Sequence, residues 1–207
     1  MLKTKIQSLT AQFENISSAR KQVLAQLSSS IRGHRVRKEP VQLNFICTHN
    51  SRRSHIAQIW AQTATYHYGI ENINCYSGGT EATAVSPNVI TALRNAGFKI
   101  SIAKNGDNPT YTIQVSDDHK INVFSKHFND PANPSADFIA VMVCSDADKN
   151  CPLVPGASER IAITYNDPKA SDGTPNETTA YQQTLDEIGR EMLYVFSMSR
   201  GAGSNEE

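Results

Sequence analysis

Gln42-Leu-Asn-Phe-Ile-Cys47-Thr-His-Asn-Ser-Arg-Arg-Ser54 is the stretch on which the reading of this chain turns. Its first six residues form a strand candidate, and residues 53–68 read as a helix. The polar loop between them leaves a strand end and enters a helix, the place where open α/β sheets hold their ligands. If its backbone amides curl around a point near the Cys47 sulfur, they form an anion-binding nest, and the helix dipole adds positive potential. The same field stabilises a thiolate: a free thiol titrates near about 8.5, and such surroundings lower that to roughly 3.5–7.5. Cys47 is therefore expected to be ionised at neutral pH and to act as a nucleophile. Arg53 supplies a planar fork for two oxygens of a tetrahedral anion, and Ser54 can hydrogen-bond the sulfur when it must leave. Thr48, His49, Asn50, Ser51 and Arg52 complete the oxyanion loop, with His49 and Arg52 expected outward or along its rim. The competing reading makes Cys47 a small hydrophobe ending a buried strand, with Arg53 merely solvated. Short motifs do match by accident, but the position between strand and helix favours the functional reading.

Outward from the loop, short apolar runs alternate with helical stretches. Ile73–Ser77 is a second strand, and Ser86–Asn95 is a helix with Pro87 at its first position and Gly97 just past its end. Phe138–Cys144 is apolar throughout, as a parallel strand covered on both faces should be. Arg160–Tyr165 is a fourth strand, and Thr178 to about Met198 a closing helix. The expected fold is α/β, a four-stranded parallel sheet with helices on both faces. Tyr111–Ser116 and Lys120–Ser125 flank Asp117-Asp-His119 as a β-hairpin, taken as an insertion over residues 104–136. Residues 2 to 32 read as one helix, with Ile6, Leu9, Phe13, Ile16, Val23, Leu27 and Ile31 along one stripe. That stripe needs a partner, either the main domain or a second copy of the same helix in a homodimer. Residues 32–40, broken by Gly33 and Pro40, read as a linker whose basic cluster is a solvated hinge rather than a phosphate patch. The division is thus residues 1–40, a catalytic domain over 41–200, and a tail over 201–207.

With 207 residues and 39 % apolar content, one ordinary core is expected. Lys plus Arg equals Asp plus Glu at 20 each, so no global field steers the chain to nucleic acid or an anionic membrane. No secretory signal or membrane span is apparent, and a soluble cytoplasmic protein without bound cofactor or metal is expected. In a reducing cytosol the cysteines are not expected to form a static disulfide framework. Cys75, in mid-strand, is assigned to the core. For Cys144 and Cys151, zinc is disfavoured because Cys-x6-Cys is wide and lacks a second pair. Calcium is disfavoured because no turn Gly or distal Glu completes the acidic loop. Two inert core thiols or a redox pair remain.

Residues 41–198, about three quarters of the chain, resemble the low-molecular-weight tyrosine phosphatase fold, and within it most resemble the thioredoxin-coupled arsenate reductases. Cys47-x5-Arg53-Ser54 matches the anion loop, with Asn50-Ser51 in its interior. Tyr76-Ser77-Gly78-Gly79-Thr80-Glu81 falls at the second strand and its turn, and Asp167-Pro168 at the general acid. The resemblance implies that Cys47 attacks arsenate, Cys144 attacks the Cys47 sulfur, and Cys151 carries the disulfide out to thioredoxin. On a helix the α-carbons of residues 144 and 151 would stand about 10 Å apart, too far for a disulfide. The segment must then rearrange, and Asp146, Asp148 and Asn150 make it a weak helix. His49 and Arg52 are larger than the residues often found at those places. Gln58 stands where some of these reductases use a Glu to hold potassium, so that ion is not carried over. The alternative is a phosphatase of aryl phosphates using Cys47, Arg53 and Asp167. His55 in place of a common Pro, and no Tyr adjoining Asp167-Pro168, weigh against it. A third reading, from another class, is an anion-sensing module without turnover.

Overall fold

The computed structural model describes residues 1–150 and 153–200. Two helices, α1 (Leu2–Thr10) and α2 (Ser18–Val36), precede β1 (Val41–Cys47), α3 (Arg53–His67), β2 (Ile73–Gly79) and α4 (Pro87–Asn95). Three short strands follow, β3 (Ile100–Lys104), β4 (Thr110–Gln114) and β5 (Lys120–Val123). The chain then continues through β6 (Phe138–Met142), α5 (Ser145–Asn150), β7 (Ala157–Ala162) and α6 (Glu177–Ser199).

The main sheet is parallel in the order β2-β1-β6-β7. Every residue of β6 is buried, which is why its apolar run does not alternate. In the register Cys47 pairs with Gly79 and Ile46 with Met142. The carboxyl ends of the two central strands therefore open side by side where the anion loop begins. Closing helix α6 packs on α1, α2, α3 and α4. Gly189 permits its closest approach to α3, because a Cβ there would lie 2.6 Å from a ring carbon of Trp60.

The N-terminal region differs from the single helix expected over 2–32. A 3-10 turn, Phe13–Asn15, ends the first helix, and extended Ile16 and Ser17 start the second, with the Ser17 side chain accepting from the Arg20 amide. Such a cap satisfies an orphan donor and makes a restart cheaper than continuation. Gly33 does not stop α2, so the expected linker shrinks to residues 37–40; one helical glycine costs only about 1 kcal/mol, and packing outweighs it. Leu24, Leu27 and Ile31 are fully buried where α2 meets α6. The stripe thus finds its partner within the chain.

The insertion also begins earlier than residue 104. The hairpin forms, with Tyr111 opposite Val123 and Ile113 opposite Ile121, but Ile100–Lys104 adds a third antiparallel strand. Its outward, largely exposed positions hid the alternation that marks a strand. After β5 the chain returns to the main sheet: Gly79 N donates to Lys126 O at 2.9 Å, and Phe128 N to Gly79 O at 2.8 Å. Among the described residues no helix is long and apolar enough to cross a membrane.

The α3–α6 contact gives a direct test. Gly189→Ala should destabilise the protein by about 1–3 kcal/mol through overpacking against Trp60, measured by denaturant unfolding. An unchanged midpoint would mean that the two helices do not approach this closely.

Candidate active site

Between β1 and α3 every carbonyl of residues 47–51 is taken by a donor outside the loop. Thr80 N reaches Cys47 O at 3.1 Å, Glu81 N reaches Thr48 O at 2.8 Å, and Ser86 N reaches Ser51 O at 3.0 Å. Thr83 Oγ1 and Ser125 Oγ donate to His49 O. His55 Nε2 lies 2.9 Å from Asn50 O. With the carbonyls held outward, the amides of residues 48–52 have no acceptor among the described residues. They form the donor set of an anion nest, and the N-terminus of α3, with no side-chain cap, adds its dipole. Close approach requires Gly79: a Cβ there would fall 2.7 Å from both Asn50 N and Thr48 O. Asn50 turns the loop at φ +43°, a conformation Asn tolerates better than most residues.

A directed chain of hydrogen bonds ends on the Cys47 sulfur. Lys126 N donates to Asn50 Oδ1 at 2.8 Å, which fixes the orientation of that amide. Asn50 Nδ2 then donates to Ser54 Oγ at 2.9 Å. The Ser54 hydroxyl proton is left to point at Cys47 Sγ, 3.1 Å away. Each link presents a donor toward the sulfur, as a thiolate requires. The sulfur lines a pocket with His49, Ser51, Arg52, Arg53 and Asp167. Arg53, buried and bonded to Asp167, is not the solvated arginine of the competing reading.

Both arginines converge on Asp167. Arg53 Nη2 donates to its Oδ2 at 2.7 Å, and Arg53 Nη1 to Tyr165 O at 2.9 Å. Arg52 reaches the same carboxylate with Nε at 2.8 Å and Nη2 at 3.3 Å. Arg52, expected outward or along the rim, is instead largely buried in this pair. Its reason is the carboxylate, which two guanidiniums share. Burial alone would push Asp167 up. The Arg52 hydrogen bond, the Lys169 amide and the charges of Arg53 and Arg52 outweigh it and hold the carboxyl below its ordinary range. Pro168 fixes the turn that follows, and Asp167 caps it by accepting from Lys169 N. His49 faces outward as expected, with Glu81 at 3.5 Å.

Cys144, two residues past β6, is fully buried, accepts from Ala147 N at 3.3 Å, and sits 3.6 Å from Thr48 Oγ1. A second thiol thus touches the anion loop itself. Asp146 and Asp148 lie on the short α5 that follows, and Cys151 lies outside the described residues. Cys75 is buried in the core, where desolvation pushes its thiol up. Gln58 donates to Cys75 O, and its Oε1 has no partner among the described residues.

Two contributors were not legible as such in the sequence. In sequence His55 stands out only by occupying a common Pro position; it is fully buried between Asn50 O and Ser77 Oγ. A carbonyl only accepts, so Nε2 carries the proton and Nδ1 accepts from the serine. Burial, aided by the nearby Lys126 charge and opposed by the Asn50 carbonyl, lowers its pKa to about 3. Lys126 is 4 % exposed, its ammonium 4.8 Å from the Phe124 ring. Burial lowers its pKa to about 8, against the charge of Asp130. A lysine after a hairpin reads as solvated, and only the return of the insertion to Gly79 buries it. A larger cavity of about 760 Å³ lies among Leu2, Ile6, Tyr66, Phe98 and Val115 and contains none of the loop residues. Size does not mark the site here.

Residues 42–111 match the low molecular weight phosphotyrosine protein phosphatase family. Over 146 residues the chain is 34 % identical to an arsenate reductase of Bacillus licheniformis, spanning 70 % of this chain and 87 % of that protein. An arsenate reductase of Bacillus subtilis is 31 % identical over 149 residues, 72 % of this chain and 89 % of its own. In fold the chain is similar to a low molecular weight protein tyrosine phosphatase from Bacillus subtilis. There the TM-score is 0.51 at 17 % identity, over 76 % of this chain and 96 % of that one.

The neutral His55 gives a pH signature. Its folded value of about 3 lies below the unfolded reference of 6.5, so the unfolded chain binds more protons between these values. Stability is complete above 6.5 and falls as the pH drops toward 3, by up to about 1.4 kcal/mol per unit from this group. Its ring signals in NMR should stay constant from neutral pH down to about 5. A midpoint near the ordinary histidine value would overturn the assignment.

Proposed function

Because the chain belongs to the family of the arsenate reductases built on the low-molecular-weight phosphotyrosine protein phosphatase fold, we propose that it reduces arsenate to arsenite through Cys47. The proposal extends to Cys144 and Cys151 as a disulfide relay and to thioredoxin as the electron donor. The observation that carries it is the Cys144 sulfur against Thr48 of the anion loop. Hydrolysis has no use for a second thiol there, whereas a two-electron reduction must find one.

The steps balance as follows. The Cys47 thiolate bonds to arsenic, and a hydroxyl group leaves as water. The Cys144 thiolate then attacks the Cys47 sulfur. The electron pair of the S–As bond stays on arsenic, which departs as arsenite and leaves a Cys47–Cys144 disulfide. Cys151 attacks Cys144 and frees Cys47, and the thioredoxin dithiol reduces the Cys144–Cys151 disulfide.

While paired with Arg52 and Arg53, Asp167 is a carboxylate and cannot serve as an acid. A bound dianion competes for Arg53 and sets a negative charge beside Asp167. Both changes raise its proton affinity, and it can then protonate the departing oxygen. The loop amides and Arg53 hold the equatorial oxygens as charge shifts. The same three residues suffice for an aryl phosphate, which keeps the phosphatase as the second reading.

The test supplies arsenate with thioredoxin, thioredoxin reductase and NADPH, and runs aryl-phosphate hydrolysis in parallel. Cys47→Ser should abolish both reactions, and Arg53→Ala should lower both by about 10²–10³-fold. Cys144→Ser and Cys151→Ser should each abolish catalytic reduction while sparing hydrolysis. Brisk hydrolysis with no arsenate turnover would replace the reductase by the phosphatase. Separately, Arg52→Ala removes one guanidinium from Asp167. The limb of the pH–rate profile set by that carboxyl should move to higher pH, and an unmoved limb would discard Asp167 as the acid.

A further inference from the structure

The N-terminal helix α2 has no part in the steps above, yet one of its side chains reaches the segment that carries Asp167. Arg20 is the third residue of α2, its backbone amide bonded to the Ser17 cap. Its Nε and Nη2 donate to the two oxygens of Glu191 at 2.9 and 2.8 Å. That carboxylate is 3 % exposed on α6. The same Nη2 donates to Thr164 O at 3.2 Å, and the guanidinium carbon lies 4.8 Å from the centre of the Tyr165 ring. The next carbonyl along, Tyr165 O, accepts from Arg53 Nη1. Asp167, two residues further, takes Arg53 Nη2. On its other side Tyr165 N is anchored to Val143 O at 3.1 Å.

We propose that Arg20 is a positioning residue for the active site, holding Thr164 and Tyr165 so that the Tyr165 carbonyl and the Asp167 carboxylate aim the Arg53 fork at the Cys47 pocket. It touches neither substrate nor Cys47 and acts through Arg53. The paired Glu191 fixes the guanidinium in two directions, and the planar fork still has a hydrogen left for Thr164. A lysine keeps the charge against Glu191 but has no flat face for Tyr165 and no rigid fork spanning both acceptors. A bidentate arginine is therefore required for a geometric reason, beyond neutralising a buried carboxylate. Displacement of a catalytic group by about 1 Å can cost on the order of 10²-fold in rate, so a loosened segment should register in catalysis.

The inference rests on Cys47 and Arg53 forming the active site, whichever oxyanion they process. The experiment compares wild type, Arg20→Lys, Arg53→Ala and the double variant, with Glu191→Gln as a second way to loosen the clamp. Each is read for kcat/KM with arsenate and with an aryl phosphate, for inorganic phosphate affinity by calorimetry, and for thermal unfolding. Arg20→Lys should unfold close to the wild-type temperature yet lose about tenfold or more in kcat/KM and bind phosphate more weakly. Adding it to Arg53→Ala should cost little more, because both changes act through one group. Glu191→Gln should fall between. Full and independent losses in the double variant, or unchanged kinetics and phosphate affinity in Arg20→Lys, overturn the proposal. If wild type turns over neither substrate, the functional assignment fails, and the clamp stands or falls on phosphate affinity alone.

Discussion

A loop can bind an anion through its backbone only if its carbonyls are kept away from the ligand. Here that constraint organises the whole carboxyl end of the sheet. Donors from the β2 turn, from the start of α4, from Ser125 and from buried His55 take the carbonyls of residues 47–51. Each such bond replaces one to water, so none is worth much by itself. Together they prevent the loop from turning a carbonyl toward the sulfur. The glycine at 79 belongs to the same constraint, because only a missing side chain lets the β2 turn lie against the loop.

The second organising feature is a charge balance. Two guanidiniums in a largely buried pocket need an anion, and Asp167 supplies it. The desolvation cost of such charges is offset only while they remain paired. The carboxylate that neutralises the arginines is held below its ordinary range by those same two guanidiniums and the Lys169 amide. Arg52, an unexpected participant, belongs to this balance and not to the solvated rim.

The elements added around the α/β core also bear on the site. The insertion ends by placing Ser125 and Lys126 on the loop, one at a carbonyl and the other at the Asn50 side chain. That second bond orients Asn50, which in turn leaves the Ser54 proton for the sulfur. The N-terminal helices cover α6 and deliver Arg20 to Thr164 and Tyr165. Neither addition needs to touch an oxyanion to affect how one is held.

The residues from 42 to 54 by themselves determined the strand, the loop and the helix, and placed Cys47 where the two meet. That part is local, because a strand, a short polar loop and a helix follow one another within thirteen residues. Apolar runs without alternation likewise announced the buried parallel strands, because burial on both faces is written into composition. Tertiary structure decided what depends on residues far apart in the chain. The break at residues 11–17 and the third strand at 100–104 escaped because a short cap and an exposed edge carry weak periodic signals. Lys126, His55 and Arg20 each read as ordinary until folding brings them to Gly79, Asn50 and Thr164. A backbone hydrogen bond or a shared carboxylate leaves no trace in sequence spacing, so the partners of the loop were visible only once the sheet had closed around it.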